Sequence, residues 1–199
     1  MNLPPLPDKG ELLAAVKAHR SSWSGGQKPT PEPTGPGEES VWDYPRPPEL
    51  RPVDFGDGVL PCRVEALGTV IAESTGVLRM CETAGAPVYY FPPRDVLTEY
   101  LTPTDYLTVC EWKGAAVHFD LTIGRETIRE AAFCYPDPLD DLDKDYARIA
   151  GWLGFYPAKM TACFVGDEKA RPQPGGLYAG WVTSHIKSPI KGGPGTGGW

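Results

Sequence analysis

Proline and glycine punctuate this chain so densely that few long elements fit between them. Twenty-three of each occur in 199 residues. Proline ends or kinks a helix and removes a donor from any central strand. Short strands, tight turns and an irregular tail are what such a sequence permits. Eleven of the prolines fall within the first 52 residues. There, only Asp8–Arg20 has a helical pattern, with Asp8 as cap and Leu12, Leu13 and Val16 on one face. Ser21–Ser40 has too few apolar side chains to offset chain entropy and is expected as a flexible linker. Trp42–Pro52 (WDYPRPPELRP) is expected to lie extended against the domain, its prolines barring a central strand.

From Leu60 onward the pattern changes to short strands. Cys62–Leu67 and Thr69–Glu73 flank a turn at Gly68, and Thr108–Trp112 and Ala115–Leu121 flank Lys113-Gly114. Thr127–Cys134, Trp152–Tyr156 and Thr161–Val165 come next, and Pro93–Tyr100 and Leu139–Ile149 read as short helices. The fold class is α+β, mostly antiparallel β. The expected organisation is a helical segment at 1–20, a linker and proline-rich arm at 21–54, and one domain at 55–199.

A net charge of -7 and a pI near 5.0 argue against nucleic acid as a partner, since a basic face is missing. The start, MNLPPLPDKGELLAAV, shows no basic region leading into an apolar run, so no secretory leader is expected, and no stretch is apolar enough for a membrane span. Five widely spaced cysteines fit reduced thiols and a cytoplasmic location better than a disulfide framework.

Four separated motifs carry a resemblance: VYYFPPRDV at Val88–Val96, CEWKG at Cys110–Gly114, AGWLGFYP at Ala150–Pro157, and PQPGGLYAGWVTSHIKSPIKGGPGTGGW from Pro172 to Trp199. In this order they resemble the domain of unknown function 427 family, over about Leu60 to Trp199. The resemblance implies a β-tent-like fold, two antiparallel sheets meeting at an angle, preceded by the helix and arm. It implies no reaction. Members are sometimes labelled nucleotidyltransferase-like. Asp141-Leu-Asp143 has the spacing of a two-metal aspartate pair, but no Gly-Ser precedes it, so that chemistry draws no support.

Many β-tent proteins pin the sheets with a four-cysteine zinc site. Here successive cysteines are 19, 29, 24 and 29 residues apart, with no pair at the two-to-four-residue spacing of structural zinc. Structural zinc is not expected, no metal ligands are assigned, and the identity of any cofactor stays open.

The hairpin Thr108–Leu121 is the strongest place for chemistry. With a two-residue turn at Lys113-Gly114, Glu111 faces Ala116 and Val109 faces His118. Glu111, His118 and Asp120 then share one face, and Cys110, Trp112, Val117, Phe119 and Leu121 the other. The first set reads either as a general-base or metal-holding cluster or as a solvated salt-bridge face. A one-residue shift, with a bulge at Gly114, separates Glu111 from His118. Arg79 and Glu82, beside Cys81 and the tyrosines of VYYF, read either as bidentate ligand contacts or as one buried ion pair. Trp112, Trp152 and Trp181, with Tyr89, Tyr90, Tyr135, Tyr156 and Tyr178, read either as a ligand cage, as in other β-tent domains where tryptophans enclose a cyclic imide, or as core aromatics. The glycine-rich tail lacks G-K-[ST] and offers no phosphate loop; it is expected to lie ordered on the domain, anchored by Trp199 and closing one side of a pocket.

These residues point to a small-molecule-binding domain in which Cys110, Glu111, Lys113 and His118 are the catalytic candidates and Arg79, Glu82, Tyr90, Trp112, Asp120 and Tyr156 the ligand contacts. Cys110 qualifies as a nucleophile only if Lys113 holds it as the thiolate. Whether the protein is an enzyme stays open. The alternative is an interaction or oligomerisation module, a homodimer among the options, that docks through Trp42–Pro48.

Overall fold

The computed structural model describes residues 2–21 and 29–196. Among the described residues one helix, α1 (Lys9–Ser21), precedes fifteen strands. These are β1 (Glu39–Ser40), β2 (Glu49–Pro52), β3 (Cys62–Ala66), β4 (Thr69–Ser74), β5 (Leu78–Cys81), β6 (Val88–Phe91), β7 (Leu101–Cys110) and β8 (Gly114–Ile123). They continue with β9 (Glu126–Cys134), β10 (Leu153–Phe155), β11 (Ala162–Val165), β12 (Glu168–Lys169), β13 (Arg171–Pro172), β14 (Trp181–Val182) and β15 (Ile186–Lys187). A seven-stranded antiparallel sheet runs β2-β5-β6-β10-β9-β8-β7, and a four-stranded one runs β12-β11-β3-β4. Val64, Ile71, Phe91, Phe119, Leu121 and Trp181 fill the core between them.

Helix α1 starts as its sequence dictates: the Glu11 backbone N–H donates to the Asp8 carboxylate at 2.9 Å. Pro93–Tyr100 is not a helix but two separate 3-10 turns, because the N–H of Leu97 leaves the helical path to bond Ile71 on β4. Leu139–Ile149 also departs from the helix expected of it; only Tyr146–Ile149 forms a 3-10 turn. The Leu139 N–H is taken by the Lys113 carbonyl, the Asp141 carboxylate by Arg20, and the Tyr146 hydroxyl by the Pro48 carbonyl. The segment is thus spread out as a cover. Asp140, Asp141, Asp143 and Asp145 suit that better than a helix interior.

Two pieces of residues 29–54, expected as linker and arm, are built into sheets. β1 pairs with β15 in parallel, and β2 forms the edge of the large sheet on β5. Of the expected linker, residues 22–28 lie outside the described ones. The attachment is electrostatic as well as apolar. Arg79 on β5, 1% exposed, donates both terminal nitrogens to the Glu39 carboxylate and also reaches the carbonyls of Pro52 and Asp54. Glu39 in turn accepts from the Tyr44 hydroxyl at 2.6 Å. Burial pushes the Glu39 carboxyl up, but Arg79 and Tyr44 more than offset this and hold it below the ordinary glutamate range.

Candidate functional site

The β7–β8 hairpin turns earlier than its sequence suggests, over three residues rather than two. Cys110 pairs with Gly114, Val109 with Ala115 and Thr108 with Ala116, leaving Glu111, Trp112 and Lys113 as a three-residue loop. Gly114 makes this possible with φ at +89°, where a side chain would also meet Leu139 at 3.0 Å. Two expectations fall with the register. Glu111 sits in the loop rather than beside His118, and Cys110 shares a face with Ala116 and His118 rather than with Val117 and Phe119. That face is not solvated either. Tyr90, Trp112, Ala116, Phe133, Tyr135 and Tyr146 form a second buried cluster on it.

The loop is held from three sides. Arg20 of α1 donates to the Glu111 carbonyl at 2.7 Å, pairs with Asp141 at 2.6 Å, and stacks over Trp112. The Trp112 indole N–H donates to Glu82 at 2.9 Å. The Leu139 N–H donates to the Lys113 carbonyl at 3.1 Å. So fixed, Lys113 is 6% exposed and points its ammonium inward, donating to Sγ of Cys110 at 3.1 Å, with the ring of Tyr135 at 5.2 Å. Among the described residues no carboxylate forms an ion pair with it. Burial works against its charge, whereas the Cys110 sulfur, the Tyr135 and Tyr90 phenols and the Glu82 carboxylate work for it; the balance raises its pKa and keeps it an ammonium. Burial likewise pushes the Tyr90 and Tyr135 hydroxyls up, so both are neutral phenols.

Lys113 forms part of the wall of a cleft of about 80 Å³, with Met80, Glu82, Gln173, Tyr178 and Lys191. The far wall comes from the tail. The Gln173 side chain accepts from the Ala86 N–H at 3.0 Å and donates to the Lys191 carbonyl at 2.9 Å, while the Lys191 N–H bonds the Ala84 carbonyl. Lys191 places its ammonium 5.3 Å from the ring of Tyr178. The described tail therefore lies ordered along the cleft; the Trp199 anchor falls outside the described residues. Gly180 makes the clamp possible, since a Cβ there would stand 2.2 Å from the Gln173 side-chain oxygen and 2.7 Å from the Ala86 carbonyl. We expect Gly180→Ala to cost about 1–3 kcal/mol by overpacking and to raise hydrogen exchange at the Lys191 amide. Unchanged exchange there would refute the clamp. A larger depression of about 390 Å³ beside Arg171, Pro174 and Ile190 is walled mostly by prolines and small or apolar side chains, with one cation and no converging acid–base groups.

The remaining candidates are placed elsewhere. Arg79 does not pair with Glu82; strand alternation sends it to the opposite face, where all three of its nitrogens are engaged by Glu39 and two carbonyls and it is 1% exposed. His118, 2% exposed, has Nε2 2.9 Å from the Thr108 hydroxyl, its ring stacked near Tyr156, and Nδ1 buried without a hydrogen-bond partner among the described residues. Asp120 is engaged by Arg129 at 2.8 Å and by the Glu130 N–H at 2.8 Å. Tyr156 and Trp112 do not meet in a cage: one packs on His118, the other bonds Glu82. Cys110, Lys113, Glu82, Tyr90 and Trp112 are thus brought together, and His118 packs separately with Tyr156, while Asp120 is held by Arg129 and Glu130. Among the described residues no cluster of His, Cys, Asp and Glu could hold a metal ion.

Burial lowers the pKa of His118, with Lys159 adding to the effect and Glu130 opposing it. The folded protein therefore keeps a neutral ring where the unfolded chain, with an ordinary value of about 6.5, already binds a proton. Stability from this source is full above about pH 6.5 and falls as pH drops below it. Melting temperature should decline from pH 7 to pH 5, and His118→Gln should flatten that decline; an identical slope in the variant would remove His118 as its cause.

Among known families, residues 60–166 match the one described as Domain of unknown function (DUF427). The chain belongs to that family. No curated protein matches it in sequence. Within this DUF427 protein, Met80, Glu82, Cys110 and Lys113 lie inside the matched residues, whereas Gln173, Tyr178 and Lys191 lie beyond them. The sequence placed Tyr178 among the aromatics of a ligand cage but offered neither Gln173 nor Lys191 as a site residue; GGLYAG and the lysines of the tail were the available signal, and only the fold shows where they land.

Proposed function

We propose that this DUF427 protein binds a small molecule bearing an acidic group in the cleft, with Lys113 as its buried counter-charge. The observation that carries this is the Lys113 ammonium: nearly inaccessible, at the cleft wall, and without a carboxylate partner among the described residues. A buried charge is retained against its desolvation penalty where something pairs with it, and perturbed ionisable groups in clefts are candidates for function. Lys191 adds a second cation and Glu82 one carboxylate that a ligand hydroxyl or amine would use. The volume suits a molecule of a few heavy atoms. Cys110 is the nucleophile available if the ligand is also turned over.

The two-sheet architecture around one core supports the β-tent reading of the fold, and five free cysteines support a reducing, cytoplasmic setting. Docking through Trp42–Pro48 draws less support, because Trp42 and Tyr44 are buried and their polar ends are bonded to Pro189 and Glu39. A second copy would find an open strand edge at β7, where Tyr106 and Val109 are exposed. Native mass spectrometry of freshly purified protein, beside its denatured mass, tests the binding reading. An organic acid lost on denaturation supports it. An apo mass together with no thermal response to small carboxylates or phosphate overturns it.

A further inference from the structure

We propose that Cys110 and Lys113 form an oxidative cross-linking site, in which a peroxide joins Sγ of Cys110 to Nζ of Lys113 through a sulfur–nitrogen bond. The two atoms are 3.1 Å apart, and the loop between them is fixed by Arg20, Glu82 and Leu139, so the pair meets without rearrangement. Cys110 is the one cysteine of the five that is not buried, so a peroxide from solvent reaches it before the others. Burial also pushes the thiols of Cys62, Cys81 and Cys134 up to about 12 and raises Cys163 as well, so these resist becoming thiolates.

The sheet decides the fate of an oxidised Cys110. Cys62, Cys81, Cys134 and Cys163 all lie in the core between the two sheets, whereas Cys110 packs on the opposite face of the large sheet. A sulfenic acid at Cys110 therefore has no thiol to condense with. The nearest nucleophile is Nζ of Lys113.

The chemistry balances. The Cys110 thiolate attacks hydrogen peroxide, breaking the O–O bond to give the sulfenic acid and hydroxide. Hydroxide takes a proton from the Lys113 ammonium and becomes water. The sulfenic acid carries no negative charge beside Nζ, and burial of the ammonium favours release of its proton. The amine then attacks the sulfenic sulfur, forms the S–N bond and expels the oxygen as a second water. The protein loses two hydrogens and peroxide is reduced to two waters. If the cleft is an acid-binding site, a consequence that rests on the preceding reading, the cross-link removes its cation and closes it to acids under oxidising conditions.

The test is peroxide treatment of the native full chain, alkylation of remaining thiols, and mass analysis before and after trypsin. The expected result is a mass lower by two hydrogens and a peptide spanning residues 95–125 uncut at Lys113, both reversed by dithiothreitol. Cys110→Ser should abolish the loss, and Lys113→Arg should convert it into oxygen adducts on Cys110. Sulfinic or sulfonic acid at Cys110 with normal cleavage at Lys113 overturns the proposal. So does a two-hydrogen loss that persists in Cys110→Ser, which assigns it to a disulfide among the other cysteines. Neither outcome depends on whether the cleft binds an acid.

Discussion

Arg79→Leu should lower stability by about 3–5 kcal/mol, the range found when one partner of a buried ion pair is removed. For a chain of this size that is a fall in melting temperature on the order of 10 °C. The physical reason is that Arg79 serves four acceptor atoms at once. Its loss leaves the Glu39 carboxylate and the carbonyls of Pro52 and Asp54 without their donor, and takes a guanidinium from the face of Phe55. The arm carrying β1 and β2 would lose its anchor on β5. Glu39→Gln should cost less, since its amide still accepts one bond and keeps the shape. The same pair sets an acid limit. Its carboxylate contribution is present above the unfolded value of about 4.3 and is lost as pH falls through the lower folded value. Thermal melting of both variants checks these expectations, and a shift of only a degree or two for Arg79→Leu would show that the pair does not hold the arm.

Lys113→Met should have the opposite profile. Charge-assisted hydrogen bonds contribute about 1.5–3 kcal/mol each, so losing the ammonium should weaken binding of a small acid roughly tenfold to a hundredfold. Stability should change little. The desolvation of the ammonium and its attractions to sulfur and phenol rings oppose one another, and Met fills similar volume without a charge. A residue whose removal abolishes binding and leaves melting nearly intact is there for a ligand. A large drop in melting temperature with binding retained would make Lys113 a structural residue. Isothermal titration with acetate and phosphate, beside thermal melting, distinguishes the two.

Local patterns made some of this fold legible. Gly68 between two alternating runs places the β3–β4 hairpin, and Asp8 ahead of an apolar stripe places α1. The residues Cys110, Lys113, Glu82, Tyr90 and Trp112 were recognisable as candidates from their types and neighbours. Their arrangement was not. Whether the chain turns over Lys113-Gly114 or over Glu111, Trp112 and Lys113 sets the register, and that choice moves Cys110 to the other face of the sheet. The run GAAVHFDL on β8 looked half-solvated by alternation, yet its continuous apolar character belongs to a strand covered on both faces. The cover, residues 139–149, carries a helix-like charge pattern that its contacts with Arg20, Pro48 and Lys113 override. Arg79 with Glu39 and Gln173 with Lys191 join positions distant in sequence, and no short-range pattern announces such pairs.

The most direct measurement is an NMR titration of protein labelled with nitrogen-15 at lysine Nζ. Lys113, buried and bonded to sulfur, should give an ammonium resonance distinct from those of the exposed lysines. Added acetate or phosphate should move that resonance saturably, with Lys191 responding in parallel and the others drifting only with ionic strength. A Lys113 resonance that stays fixed at every acid concentration would contradict the claim that this cleft binds acids.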